Sequence, residues 1–265
     1  MKNSLILLCD YGLDDAAATA YLLQNAEKFE QIDILPIGGN MPLAASHRNA
    51  QRILHNFEGS TDKVRLVDTS SIPQNEEELF WIHGNDGMGD ILPPEFEPFG
   101  NCIDFDAWLD RLPPNPVLVS LGPCTVTQVI LEKAGAMPLL FMAGNIAEPP
   151  NYKGYEFNHG MDAAAFAACV KYPHKIATLD TCHHPNCNFY EIENNGSTLL
   201  HRFCQRSVEL ARSRKNAGSY VYDLITVTYL LQPERFTTET LTDPFGNELT
   251  VLRYISDEKV ISLSE

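Results

Sequence analysis

Positive charge is scarce in this chain of 265 residues: 19 Lys and Arg stand against 35 Asp and Glu, a formal net charge of −16. A surface that acidic argues against a nucleic-acid polyanion or an anionic membrane as partner, because both would be repelled. A cation or a neutral polar small molecule remains open. Long apolar runs are missing as well. None approaches the roughly 20 residues that span a bilayer. The opening SLILLC has neither the basic region nor the small-residue cleavage site of a signal peptide. The seven cysteines (Cys9, Cys102, Cys124, Cys169, Cys182, Cys187, Cys204) are odd in number and scattered, several within apolar runs such as SLGPCTV and AFAACVKY. Free buried thiols in a reducing compartment fit that pattern better than a disulfide framework. No repeat, low-complexity tract or Ser/Gly linker divides the chain. A cytoplasmic protein with one domain over residues 1–265 is the expectation.

Hydrophobic residues make up 44% of the chain, enough for a full core. Short aliphatic segments alternate with helical ones: SLILLC, QIDILPIGG, KVRLVD, PVLVSLG, PLLFMAG and KIATLD read as strands. Helices are expected over residues 14–29, 42–57 and 198–216, with an apolar one in YVYDLITVTYLL. Continuous apolar strands separated by helices indicate an open, doubly wound, mostly parallel sheet covered on both faces. RFTTETLT and ELTVLRYI flank DPFGN and predict a C-terminal β-hairpin. Residues 69–103 and 145–161 read as long loops, which in a compact α/β protein are usually functional or mobile.

The segment CDYGLDD sets Asp10, Asp14 and Asp15 within six residues, after the first strand and before an alanine-rich helix. Asp14 or Asp15 could simply cap that helix. A cap does not explain Asp10, nor three acids converging on one point. A hard cation would, since Ca²⁺ takes about six to eight oxygen ligands. Mg²⁺-dependent phosphohydrolases place acids at the same position, and the cluster alone does not separate the two. Asp223, flanked by Val221, Leu224 and Ile225, is a second acid that needs a partner if buried.

CDYGLDD also resembles the Asp-x-Asp-x-Gly-x-Asp-Asp signature of the inosine–uridine-preferring nucleoside hydrolases. Further blocks are similar in the same order: GGNMPLAASHRNA, HGNDGMGD, SLGPCT, GYEFNHGMDAAAF and VYDLITVTYLL. The resemblance implies a Rossmann-like fold and Ca²⁺-dependent hydrolysis of the N-glycosidic bond of a nucleoside, giving ribose and free base. It implies that Asp10, Asp15, the Thr125 carbonyl and Asp223 hold the metal, with Asp10 also the base for a metal-bound water. Asp14, Asn40, Asn151, Glu156 and Asn158 would read the ribose hydroxyls. Family members are commonly homodimers or homotetramers.

Three departures stand out. The first acid of the signature is Leu8, and the histidine before the late aspartate is Tyr222. An unperturbed tyrosine, with a pKa of about 10, is a poor proton donor near neutrality. Tyr222 can donate a hydrogen bond, and activation of the leaving base would then fall to His83 or another group, or to stacking on Phe80 or Trp81. The chain is also short for the family, chiefly in its second half. Leu8 and Tyr222 together support an alternative, a non-catalytic ribose- and metal-binding homologue or a hydrolase of an atypical N-riboside. TCHHPNC (181–187) gathers zinc-type ligands but has no matching second pair. Its other reading is a part of the active-site rim.

Overall fold

The structure, a computed structural model, describes residues 2–192 and 196–261. Seven strands follow one another with helical or loop connections: β1 (Ser4–Cys9), β2 (Ile32–Pro36), β3 (Val64–Asp68), β4 (Cys102–Asp104), β5 (Pro116–Ser120), β6 (Leu139–Met142) and β7 (His174–Ala177). A short antiparallel pair comes next, β8 (Asn188–Phe189) with β9 (Ser219–Tyr220), and then the hairpin β10 (Phe236–Thr242) and β11 (Glu248–Tyr254). The main sheet runs β10-β11-β7-β6-β5-β1-β2-β3-β4. Every neighbouring pair in it is parallel except β10–β11. β1 pairs with both β2 and β5, so the strand order reverses there. In open α/β sheets, ligands bind beyond the carboxyl ends of the strands at such a switch point.

The helices are α1 (Leu13–Gln24), α2 (Leu43–Asn56), α3 (Phe80–His83), α4 (Phe105–Leu109), α5 (Thr125–Ala134), α6 (Phe157–Met161), α7 (Ala163–Cys169), α8 (Leu179–Cys182), α9 (Leu199–Ser213) and α10 (Tyr222–Leu231). Side chains of β1 alternate between two apolar cores, as the period of a strand requires. Leu5, Leu7 and Cys9 join α1, α2, α9 and α10 through Ala17, Ile53, Phe203 and Leu224. Ile6 and Leu8 join α4, α5 and α7 through Trp108, Ile130 and Phe166. The alanines of α1 (Ala16, Ala17, Ala18, Ala20) are buried and small, which lets α9 and α10 pack closely against it.

The element boundaries differ from the sequence expectation in identifiable ways. KIATLD does not remain extended to Asp180. The strand stops at Ala177 because Thr178 caps α8: its Oγ1 accepts from the Thr181 N–H, and the Thr181 Oγ1 accepts from the Thr178 N–H. The first helix ends at Gln24 and is followed by a 3₁₀ turn, Ala26–Lys28. Residues 69–103 carry α3 and the start of the edge strand β4, and they are strapped to the sheet end. Gln74 Oε1 accepts from Gly38 N (2.9 Å), Glu76 Oε1 from Leu43 N (2.9 Å), and Gly39 O from Glu77 N (2.8 Å).

Candidate active site

Beyond the end of β1 the chain turns sharply. Tyr11 sits in the left-handed region (φ 44°), a conformation that costs a bulky residue and persists here under full burial. The turn leaves Asp10 fully buried and bracketed by one residue: Oδ2 accepts from the Asn40 backbone N–H at 2.7 Å and Oδ1 from Asn40 Nδ2 at 3.0 Å. Ser46 Oγ donates to the Asp10 carbonyl at 2.9 Å. Burial raises the Asp10 pKa to about 6, against the lowering effect of the Asn40 donors. Such a carboxylate can accept a proton near neutrality.

α1 then begins with Gly12 as its N-cap. Asp15 Oδ2 accepts from the Gly12 N–H at 2.9 Å, so one oxygen of Asp15 does the capping that the sequence allowed. The other does not: Asp15 Oδ1 and Asp14 Oδ1 are both buried without a hydrogen-bond partner. Carboxylate oxygens of Asp14, Asp15 and Asp223 lie within 4.8 Å of one another. Burial, and then the mutual repulsion of these acids, pushes Asp15 and Asp223 well above the ordinary carboxylate range. An all-oxygen set with orphaned buried atoms fits a hard divalent cation. Leu8, where the family signature has an acid, is fully buried in the apolar core under α5.

Over this floor opens a cleft of about 440 Å³, ordinary for a small-molecule site. Asp14, Asn40, His83, Asn151, Glu156, Asn158, Tyr222 and Asp223 all line it. Glu156 is buried at the start of α6 and accepts from three backbone N–H groups, Gly144 (2.7 Å), Asn158 (3.0 Å) and His159 (3.0 Å). Burial still raises it to about 7. Asn158 Nδ2 donates to the Leu121 and Met142 carbonyls at 2.9 Å each, leaving Oδ1 buried and unpartnered. The backbone of Asn151 pairs with Tyr155 at the rim. His83 Nδ1 accepts from Leu13 N at 3.0 Å, and burial lowers its pKa, so it is a neutral imidazole whose remaining ring N–H can only donate. Thr125 opens α5 away from the cleft lining, its hydroxyl donating to Asp162 Oδ2 at 2.7 Å.

Trp81, one of the two stacking candidates, stands on the cleft wall and remains 69% exposed, whereas Phe80 is not among the lining residues. Tyr152, Phe157 and Tyr220 add further aromatic surface that carried no signal in the sequence. Arg214 reaches the rim and donates to the Ile82 carbonyl at 2.8 Å. Within TCHHPNC, Cys182 and Cys187 are buried in the core whereas His183 turns to the Tyr222 hydroxyl. Among the described residues, the only cluster of potential metal ligands is Asp14, Asp15 and Asp223, so the zinc reading of that motif finds no support. Also among them, no helix is long and apolar enough to cross a membrane.

An open, mostly parallel sheet with an acidic cleft at its switch point is the place where such folds bind polar small molecules. The chain belongs to the inosine-uridine preferring nucleoside hydrolase family, whose profile matches residues 5–251; such enzymes cleave N-glycosidic bonds. A pyrimidine-specific ribonucleoside hydrolase, RihA of Salmonella typhimurium, is 29% identical over 263 aligned positions, covering 90% of this chain and 82% of that one. Among solved structures, a plant nucleoside hydrolase superposes with a TM-score of 0.74 at 19% identity, over 100% of this chain and 90% of that one. A purine-preferring ribonucleoside hydrolase from Gardnerella vaginalis gives 0.71 at 20% identity, over 96% and 93%. The two structures share the fold, mostly parallel sheet and helices included.

Proposed function

We propose that the protein hydrolyses the N-glycosidic bond of ribonucleosides to ribose and free base, with Ca²⁺ as cofactor and Asp10 as general base. The observation that carries this reading is the pairing of Asp10, locked by Asn40 at both oxygens, with the orphaned carboxylate oxygens of Asp14 and Asp15 beside it. Asp15 and Asp223 would hold the cation together with Asp14, whose carboxylate lies with theirs; the family resemblance also gives Asp10 and the Thr125 carbonyl a place on it. When bound, it supplies positive charge that lowers the pKa of a water and anchors hydroxyls. Asp10 takes the proton of the attacking water. Glu156 and the free Oδ1 of Asn158 face the cleft as acceptors for ribose hydroxyls, which a site built on such groups recognises strongly. The negative charge of the nearby carboxylates also favours the oxocarbenium-like transition state of glycoside cleavage. His83, neutral and donating, serves as a hydrogen-bond donor to the substrate, and that leaves the acid for the departing base to come from elsewhere.

The test is release of reducing sugar from a panel of purine and pyrimidine ribonucleosides, with Ca²⁺ and after chelation. Chelation is expected to abolish release, and Asp10→Asn to lower kcat by about 10²–10⁴-fold. Undiminished turnover in Asp10→Asn overturns the assignment of the base. No release from any nucleoside by Ca²⁺-loaded protein would favour a binding role or an atypical N-riboside.

A further inference from the structure

We infer that Arg214 selects the leaving group, and that the substrate class is ribonucleosides whose base carries a carboxylate; the inference rests on the hydrolytic reading above and narrows its substrate. Among the described residues that line the cleft, Arg214 is the only lysine or arginine. It directly follows α9, and its Nη1 donates to the Ile82 carbonyl at 2.8 Å. Among the described residues that carbonyl is the single acceptor its side chain has. A guanidinium carries five N–H donors in a rigid planar fork that fits the edge of a carboxylate. Most of them remain unspent.

In a chain with 35 Asp and Glu, an arginine without an acid partner calls for a reason. Two arginines within α9 have one: Arg206 pairs with Glu209 at 3.0 Å and Arg212 with Glu191 at 3.1 Å. Arg214 is half-buried; burial lowers its pKa, and no neighbouring carboxylate counters the effect. A helix C-terminus favours a cation. That accounts for an arginine at this position, but not for a side chain turned into the cleft and left without a counter-charge.

The place of Arg214 puts the anion on the base. The acceptors for ribose hydroxyls, Glu156 and Asn158, stand where α6 begins, held by Gly144 N and by the Leu121 and Met142 carbonyls. A phosphate on the sugar would meet Glu156 there and no cation. Arg214 belongs to another wall, where it is bonded to α3. Trp81 directly precedes Ile82 and offers an exposed ring to the cleft, and Tyr220 lines it as well. A flat aromatic surface beside a guanidinium suits a planar heterocycle with a carboxylate at its edge: the ring stacks and the fork takes both oxygens. The acids of the floor repel an anion, so an anionic base requires a cation on the wall that receives it.

The experiment measures kcat/KM of the Ca²⁺-loaded protein for matched pairs, carboxylate against carboxamide on one ring. The pairs are 5-carboxyuridine with 5-carbamoyluridine, and the N-riboside of pyridine-3-carboxylate with that of pyridine-3-carboxamide. Uridine 5′-monophosphate against uridine reports an anion on the sugar. Wild-type protein should favour the carboxylate by about 10–100-fold in at least one pair, the size expected of charge-assisted hydrogen bonds. In Arg214→Gln that preference should vanish. In Arg214→Lys part of it should persist, because an ammonium keeps the charge and loses the fork. A ratio taken within one variant cancels any loss of folded protein. No preference in either pair, or one that survives in Arg214→Gln, overturns the assignment and leaves the hydrolytic reading standing. A preference for uridine 5′-monophosphate over uridine without one for the ring carboxylates does the same. Wild-type protein inactive on every riboside overturns the hydrolytic reading and this assignment with it.

Discussion

The proposed general base, Asp10, depends on two neighbours with no charge of their own. Asn40 holds both of its oxygens, and Gly39 leaves room for it: a Cβ at position 39 would fall within 2.7 Å of the Asp10 Cβ and Cγ. Gly39 lies outside the left-handed region, so the glycine is required by this close approach and not by its backbone angle. Gly39→Ala should displace the carboxylate by a substantial fraction of an ångström and lower kcat by about 10²-fold, since misplacements of this size have that effect. Ca²⁺ affinity, measured by calorimetry, should change much less, because Asp14, Asp15 and Asp223 are untouched. Unchanged kcat in a folded Gly39→Ala protein would show that Asp10 tolerates the shift and is not the base. The acids were legible in the sequence because like charges crowded at the end of an apolar strand repel one another unless a cation or a helix N-terminus offsets them. The Asn40 bracket was not, because it closes across 30 positions and an asparagine after Gly38-Gly39 reads equally well as a turn residue.

At the scale of elements, the sheet was readable and the short pieces were not. Continuous aliphatic segments such as SLILLC and PVLVS have one good environment, a strand covered on both faces, so β1 to β3 and β5 to β7 follow from composition. α3, α8 and the strand pair β8–β9 are two to four residues long, and caps or distant bonds decide them. The loop after α3 is the clearest case. HGNDGMGD stands out in the sequence for its glycines, but an arginine on another element organises it. Arg52 of α2, itself buried, donates to Asp86 Oδ2 at 2.8 Å and to the Pro93 carbonyl at 3.0 Å. Asp86 Oδ1 in turn accepts from Met88 N (2.8 Å) and Asp90 N (2.9 Å), closing the turn behind His83. Removing Arg52 would take the donor from Asp86 Oδ2 and from the Leu92 and Pro93 carbonyls in a largely buried place. Arg52→Ala should therefore cost about 2–4 kcal/mol of stability in urea unfolding. It should also raise KM by loosening His83. A variant within about 0.5 kcal/mol of wild type, as at an ordinary surface site, would show that the loop is held by other contacts.

For the molecule as a whole, the acidic floor makes stability a function of pH and metal together. Asp10 moves from an ordinary 3.8 to about 6 and Glu156 from 4.5 to about 7, both through burial. A raised carboxylate pKa means that the folded protein binds the proton more tightly than the unfolded chain does. The stabilisation is therefore fully present below the unfolded pKa values and is lost as pH rises through about 6 to 7. The net charge of −16 acts in the same direction, since self-repulsion grows as carboxylates ionise. In chelator, the Tm should rise as pH falls from about 8 to about 5.5. A cation reverses the sign, because it binds the deprotonated oxygens and must displace protons to do so. At Ca²⁺ about 100-fold above its Kd, the gain should approach 2.7 kcal/mol, or roughly 5–10 °C for a chain of this size. That gain should be largest near pH 8 and shrink towards about pH 5.5 as protons compete. Thermal melts across this range, with Ca²⁺ and with chelator, make the comparison directly. Two curves that stay parallel would mean that the cation does not bind at the buried carboxylates. Curves that converge on acidification would tie the metal to the same oxygens that the fold leaves without partners.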